Sequence, residues 1–207
     1  EVNIMDLSLL MKKTLPDSLI DEQNNHHFYE DDCLFDCEIS GIEYRDCYFK
    51  GCSFNDVTLE NSYFLNVTFE DCDLSNIHLT SSMFRNVHFL DCKLMGTDFS
   101  ESVFDDVVLK DCNARFANFS FMKNKTVFFS VCDLHSASIV ETSLQKTKFQ
   151  KCNFEDCEIL HSSLYKVDLS TCQLQHILTT HEDIKGAIIA SWQLESLAHL
   201  LEVTIKF

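Results

Sequence analysis

Cysteines are the residues of this chain whose type and spacing could do chemistry. The chain has 11 of them, and seven recur at intervals of twenty residues. Thiolates can bind a metal ion or exchange with a disulfide. These seven, however, follow the long period of the whole chain, so we predict small, buried core residues with no metal, cofactor or disulfide. The members of this cysteine column are Cys52, Cys72, Cys92, Cys112, Cys132, Cys152 and Cys172.

The histidines give weaker signals. His26, His27 and Cys33 form a loose cluster without the ligand spacing of a zinc site. His176 and His181 lie near the end of the repetitive region, and we expect them on the surface. No phosphate-binding loop, nucleophile motif or carboxylate pair in a cleft is recognisable, so we predict no catalytic residues and no enzyme.

A period of twenty residues indicates a repeat architecture, and here it divides into units of five. From residue 32 to residue 177 an apolar residue stands at the centre of almost every unit; polar Asn124 is the exception. A small or β-branched residue usually precedes the centre by two positions. Two inward positions around one outward position make a short strand, and the next two residues turn a corner. Four units therefore close one coil, and about seven coils stacked ~4.8 Å apart make an all-β rod ~35 Å long.

Stretches such as CSFND, VTFED, CDLSN, VHFLD and CKLMG resemble the pentapeptide repeat family. The resemblance covers residues 32–177 and implies a right-handed quadrilateral parallel β-helix with a filled interior. Between residues 113 and 127 the pattern is disturbed without a change of phase. We expect a local bulge or an altered face there, which could expose Phe116 and Phe121.

The two ends of the chain fall outside the repeat. Near the N-terminus, helical spacing of apolar residues up to Met11 predicts a short amphipathic helix that Pro16 would end. This segment either caps the first coil or is mobile. We divide the chain into an N-terminal extension (1–27), a pentapeptide repeat β-helix (28–177) and a C-terminal helix and strand (178–207).

The C-terminal segment is more apolar than a cap requires. Spacing predicts an amphipathic helix from Ser191, as N-cap, to about Leu201, followed by a strand over 203–207. A solenoid end exposes unpaired backbone and must be covered. Capping alone is one interpretation; the surplus of apolar residues favours a homodimer. The predicted dimer residues are Ile188, Trp192, Leu194, Leu197, Ala198, Leu200 and Leu201.

The charge of the chain is large and uneven. The net charge is −17, and residues 28–112 contribute 18 acidic and five basic side chains, or −13. Such a surface repels nucleic acid and anionic membranes and attracts basic proteins. A solubility surface is the alternative, but Asp71, Asp91 and Asp111 share one column, where like charges ~5 Å apart repel. The predicted acidic binding surface comprises Asp36, Asp46, Asp56, Asp71, Asp91, Asp105, Asp106 and Asp111.

The same charge suggests mimicry of DNA. About 35 Å of duplex carries about 20 phosphate charges, which is of the order of this chain's net charge over a similar length. The odd number of cysteines, the lack of a recognisable signal peptide and the lack of an apolar stretch of ~20 residues favour a cytoplasmic protein with free thiols.

The C-terminal pattern GAIIxSWQxxxLxxLLxVxI, carried by Gly186, Ala187, Ile188, Trp192, Gln193, Leu197, Leu200 and Leu201, resembles the Qnr-type quinolone-resistance proteins of bacteria. That resemblance implies a dimeric DNA mimic that binds DNA gyrase and topoisomerase IV and protects them from quinolones. The loops that project from the coil in Gram-negative members have no counterpart here, because the five-residue register is unbroken. A non-enzymatic scaffold for another basic protein partner is the alternative.

Overall fold

Parallel strands stacked coil on coil build the molecule. The computed structural model describes residues 7–18 and 23–201, which wind into about eight coils. Equivalent residues twenty apart are paired, as Tyr63 is with Met83 and Met83 with Val103. The strands are β1 Met11–Lys12, β2 Gln23–Asn25, β3 His27–Glu30, β4 Cys33–Ser40, β5 Glu43–Arg45, β6 Tyr48–Lys50, β7 Ser53–Glu60, β8 Tyr63–Glu70, β9 Met83–Leu90, β10 Val103–Lys110, β11 Lys123–Ser130, β12 Ser138–Val140, β13 Thr147–Gln150, β14 Glu158–Leu160 and β15 Leu178–Thr179.

These strands form three parallel sheets. The largest has ten strands and runs β1-β3-β6-β8-β9-β10-β11-β13, with β2 joined through β5 to β8. The others are β12-β14-β15 and β4-β7. Single bridges continue the remaining faces, for example from Ser53 through Asp73, Lys93 and Asn113 to Asp133. The predicted parallel pentapeptide-repeat β-helix is therefore confirmed.

The interior is filled by the predicted centre residues. All of them from Leu34 to Leu174 are buried, except half-buried Ile39 and Asn124. Because like stacks on like, aromatic rings form ladders: the ring centroids of Tyr29 and Phe49 are 4.6 Å apart, and those of Phe49 and Phe69 are 4.7 Å apart. The core around these rings encloses only about 10 Å³ of free volume.

The disturbance predicted over residues 113–127 is a bulge. Phe104 pairs with Asn124, Asp105 pairs with Thr126, and Val107 pairs with Val127. One extra residue is accommodated and the twenty-residue phase returns at once. Phe116 and Phe121 are 54% and 50% exposed. Both parts of this prediction are confirmed.

The first part of the predicted N-terminal helix, up to residue 6, lies outside the described residues, and its continuation to Met11 is not an amphipathic helix. Leu7–Leu9 form one 3₁₀ turn, and Met11 belongs to β1, which pairs with β3. Pro16 lies in the first turn of helix α1 (Leu15–Ser18), where proline is tolerated because no helical N–H is lost. Parallel pairing also begins before the predicted start of the repeat at residue 28, because β2 pairs with β5.

Short helical turns follow the last coil. They are helix α2 (His181–Ile184), a 3₁₀ turn (Ser191–Gln193), helix α3 (Leu194–Leu197) and a second 3₁₀ turn (Ala198–Leu201). The predicted helical segment is therefore present, but its N-cap is Ala190 rather than Ser191. The predicted strand over 203–207 lies outside the described residues. None of the helices described has the length and apolar character needed to cross a bilayer.

Candidate functional site

The outer corners of the coil share one backbone conformation. Almost every fifth residue has a positive φ near 55°, as in Asp71 (53°), Asp91 (53°) and Asp111 (55°). Many of these corner N–H groups donate to a carbonyl of the next coil; the N–H of Asp71 donates to Leu90 O at 3.0 Å. Coil stacking thus imposes the left-handed conformation, which Asp, Asn and Gly tolerate best.

This conformation explains part of the acidic column. Seven of the eight predicted acidic residues occupy left-handed corners, and Asp105 alone does not. Asn serves the same backbone role at the corners Asn61, Asn66, Asn76 and Asn86. The regular spacing of the aspartates therefore follows from the coil, whereas their charge is not required by it.

The neighbours of these carboxylates differ. Asp71 and Asp91 are exposed and have no ion-pair partner among the residues described. Asp111 lies 3.7 Å from the Lys110 ammonium, and Asp105, only 19% exposed, bridges Arg85 (3.4 Å) and Lys125 (3.1 Å). Asp105 is thus largely neutralised, and the open charge lies on the corners.

The other predicted acidic residues are also corner residues. Asp36, Asp56 and Asp106 are exposed. Asp46 is half-buried, accepts a hydrogen bond from Asn66 Nδ2 at 2.6 Å and lies 3.7 Å from His26 Nδ1. Open carboxylates thus lie on several edges of the N-terminal half.

Basic residues gather on the other half of the rod. A surface groove of about 730 Å³ is lined by Lys125, Lys146, Lys148 and Lys166, with Asp168 among its other residues. It lies beside the bulge, where β11 pairs with β13 only from Val127 onward. This group of lysines therefore lies on the other half of the rod from the aspartate corners.

The cysteine column is buried, as predicted, and its thiols are unpaired. Five of the seven thiols, from Cys72 to Cys152, point to a carbonyl of the preceding coil; Cys72 Sγ lies 3.5 Å from Phe49 O and Cys92 Sγ 3.4 Å from Phe69 O. Burial raises the pKa of Cys92 well above its ordinary value. These thiols are packed core groups.

Two polar side chains close the C-terminal end of the coil. The Asp183 carboxylate is buried and accepts hydrogen bonds from His161 N (3.0 Å), Ser162 N (2.9 Å) and Thr180 Oγ1 (2.8 Å). Buried Gln193 donates from Nε2 to Leu169 O and Cys172 O at 2.8 and 2.6 Å. Its Oε1 accepts from Ala190 N at 2.6 Å.

Sequence reasoning assigned no role to either of these two residues. Each side chain takes the place of a further coil, which would have supplied the hydrogen-bond partner of a backbone group such as Ser162 N or Leu169 O. Gln193 belongs to the C-terminal pattern named above, which gives it no role, and Asp183 stands in the polar stretch HEDIK, where a carboxylate is ordinary.

The predicted dimer residues divide into two groups. Leu197 is buried against the core, and Leu200 packs on it half-buried, so both cover the end of their own coil. Ile188, Trp192 and Leu194 are 50%, 55% and 60% exposed. Ala198 is half-buried, and the side chain of Leu201 lies outside the part that is described.

The predicted loose cluster of His26, His27 and Cys33 gains no metal-binding geometry. Among the residues described, one group does bring ligand atoms within 4.8 Å of one another: Glu155, Asp156 and His176. Asp156 and His176 are exposed corner residues one coil apart, and the His176 Nδ1 lies 3.7 Å from Asp156 Oδ1. The pair is an ordinary surface contact.

Together, the fold and its surface define a non-globular solenoid whose outward side chains are available to a partner. Residues 62–139 match the family model of the pentapeptide repeat region. HetL, a pentapeptide repeat protein involved in heterocyst differentiation regulation from the cyanobacterium Nostoc sp., is 17% identical, with a TM-score of 0.54 over 80% of this chain and 86% of that chain.

Full-length QnrB1, a plasmid-mediated fluoroquinolone resistance protein, is 17% identical over 93% of this chain and 95% of that chain, with a TM-score of 0.41. The likeness to HetL supports the fold alone, and the superposition on QnrB1 is too poor to bear on function. No curated protein matches the chain.

Proposed function

We propose that the protein is a cytoplasmic, non-enzymatic mimic of duplex DNA that binds DNA gyrase and topoisomerase IV, competes with DNA and protects these enzymes from quinolones. The observation that carries the proposal is the set of open carboxylates on the corners of the N-terminal half. Asp71 and Asp91 stand one coil apart, exposed and without an ion-pair partner among the residues described.

The choice of Asp over Asn supports a role for the charge. Asn would satisfy the left-handed corner equally well and would not add repulsion between stacked carboxylates. The chain nevertheless carries Asp at seven corners between Asp36 and Asp111. The residues of a groove that binds DNA are basic, and a row of carboxylates at the strand spacing of ~4.8 Å offers them charge at intervals comparable to phosphates.

The protein acts as a homodimer in this proposal. Ile188, Trp192 and Leu194 supply the exposed apolar contacts, while Leu197 and Leu200 cap each protomer. Burial of three large apolar side chains at a two-fold interface favours association. A dimer joined at the C-terminal ends would extend the two acidic halves away from each other.

Charge removal at the corners tests the proposal. The triple variant Asp71→Asn, Asp91→Asn, Asp111→Asn keeps residues that tolerate the left-handed corner. A matched control, Asp156→Asn, Asp168→Asn, Glu182→Gln, removes equal charge from the C-terminal part of the chain. The first variant is expected to bind purified gyrase at least about tenfold more weakly than the control does, with a smaller dependence on salt. Equal affinities would refute the assigned surface.

A scaffold for a different basic protein is the second candidate. The left-handed corners favour it, because they account for the spacing of the aspartates without any reference to DNA. Expression in a susceptible bacterium separates the two. Mimicry predicts a higher quinolone concentration for growth inhibition and salt-sensitive binding to purified gyrase, whereas the scaffold predicts neither.

A further inference from the structure

One coil departs from the corner chemistry of the rest of the rod. Three of its corners carry Phe116, Phe121 and Val131 in the left-handed conformation, whereas the corners of the preceding coil are Gly96, Glu101, Asp106 and Asp111. This coil follows the acidic half directly and contains the bulge. Apolar side chains at three left-handed corners of a single coil mark it as a distinct part of the surface.

The two phenylalanines are held in a conformation that suits them poorly. Phe116 has φ 61° and Phe121 has φ 60°. Their N–H groups donate to His135 O at 3.0 Å and to Val140 O at 2.8 Å, so coil stacking fixes the left-handed corner whatever the side chain. Bulky residues are rarely found there, and Asn or Gly would be more stable. With half of each ring exposed, packing offsets only part of this strain.

The surroundings of the two rings suit a docking surface. The Phe116 ring meets the His135 ring edge-on with centroids 6.0 Å apart, and the Arg115 guanidinium lies 5.7 Å from its centroid, so its orientation is fixed before binding. Phe121 lies in the corner column between Glu101 and Glu141. Between the rings, the outward side chains are short: half-buried Asn118 and buried Ser120. Two rings at adjacent corners thus bracket a low, polar face.

We propose that Phe116 and Phe121 are the apolar anchors of an interface with a basic protein. Charge selects that partner: Glu101 and Glu141 flank Phe121, and residues 28–112 bring a charge of −13 beside it. A second copy would bring the same net charge of −17 and the same acidic neighbours. The partner therefore presents an apolar pocket rimmed by Lys or Arg, and aromatic anchors in such pockets carry much of the energy of an interface. The inference rests on the proposed function only in taking gyrase as one such partner.

Corner-matched variants of the full chain test this inference. The double variant Phe116→Asn, Phe121→Asn places a favoured residue at each corner, and Val131→Asn is the matched control, because Val131 (φ 56°) lies diagonally across the coil from Phe121. The first probe is a synthetic amphipathic helical peptide of Lys and Leu, compared with an oligolysine of equal charge at the same salt concentration.

The wild-type protein and the Val131→Asn variant are expected to bind the amphipathic peptide at least about tenfold more tightly than the double variant does. All three are expected to bind oligolysine equally, and the thermal midpoints of both variants should equal or exceed that of the wild type. Equal binding of the amphipathic peptide by wild type and double variant would overturn the proposal. So would a fall in the thermal midpoint of the double variant, since the rings would then be structural.

Purified gyrase is the second probe, and its results separate the two proposals. Weaker binding by the double variant supports the anchors, and undiminished binding overturns them. If the wild type does not bind gyrase at all, the proposed function fails, and the peptide comparison still decides the role of the two rings.

Discussion

Replacement of Asp183 by alanine should destabilise the protein more than any substitution on its acidic surface. In the coil, the backbone N–H at one inner column donates to a hydroxyl of the next coil, as Ser62 N does to Ser82 Oγ at 3.0 Å and Thr142 N to Ser162 Oγ at 2.9 Å. After the last coil no such hydroxyl follows, and Asp183 Oδ1 takes its place for Ser162 N at 2.9 Å. Asp183→Ala leaves that buried N–H without an acceptor.

The expected loss follows from the three hydrogen bonds that Asp183 accepts. An orphaned buried N–H costs about 1–3 kcal/mol, and hydrogen bonds to charged groups contribute about 1.5–3 kcal/mol each. His161 is exposed, so water replaces the carboxylate at His161 N. We therefore expect Asp183→Ala to lower the free energy of unfolding by about 3 kcal/mol and the thermal midpoint by about 6–12 °C for a chain of this size.

Urea unfolding and calorimetry measure this change, with exposed Asp168→Ala as the control, expected within about 0.5 kcal/mol of wild type. Asp183→Asn should fall between the two, since its amide keeps one acceptor oxygen but turns an NH₂ towards the second N–H. A loss below about 0.5 kcal/mol for Asp183→Ala would refute the role of this residue as the end of the ladder.

Three further predictions concern the thiols and the C-terminal end. At pH 8 a thiol reagent should modify only the half-buried Cys33 and Cys37 in the native protein, whereas it should modify all 11 cysteines after denaturation. Modification of more than two thiols in the native protein would contradict the burial of the cysteine column. Cys92→Ala should lower the free energy of unfolding by about 1 kcal/mol, because it leaves a small cavity, and it should leave gyrase binding unchanged. A variant that loses gyrase binding but keeps the stability of the wild type would contradict a packing role for Cys92. Trp192→Glu with Leu194→Glu should give a monomer in sedimentation with an unchanged thermal midpoint, because both side chains are exposed; a persistent dimer would place the interface elsewhere.

The sequence predicted well which side chains point into the core. A repeat of one strand per five residues fixes which side chains are buried, so the core could be assigned before the structure was known. Asn124 shows the physical limit of this pattern: at a centre position it stays half-buried, and its Nδ2 donates to Thr147 Oγ1 at 3.3 Å. A polar group at a core position needs a partner, and the chain bulges beside it.

The roles of the outward side chains and of the residues at the end of the coil were harder to predict, because they depend on the backbone conformation and on which groups the last coil leaves unpaired. The recurrence of Asp, Asn and Gly at every fifth position indicates left-handed corners, and for the aspartates this backbone signal coincides with the signal of charge. The roles of Asp183 and Gln193 depend on which N–H and C=O groups the last coil leaves unpaired. Periodicity cannot report such groups, since they arise where the period stops.

Supercoiling by purified gyrase, measured with and without a quinolone, tests DNA mimicry most directly. We predict that the protein slows supercoiling in competition with DNA, so that added DNA relieves the effect, and that it lowers the amount of quinolone-stabilised cleaved DNA. The triple variant at Asp71, Asp91 and Asp111 should lose both effects. Unchanged supercoiling and unchanged cleavage at saturating wild-type protein would contradict the account.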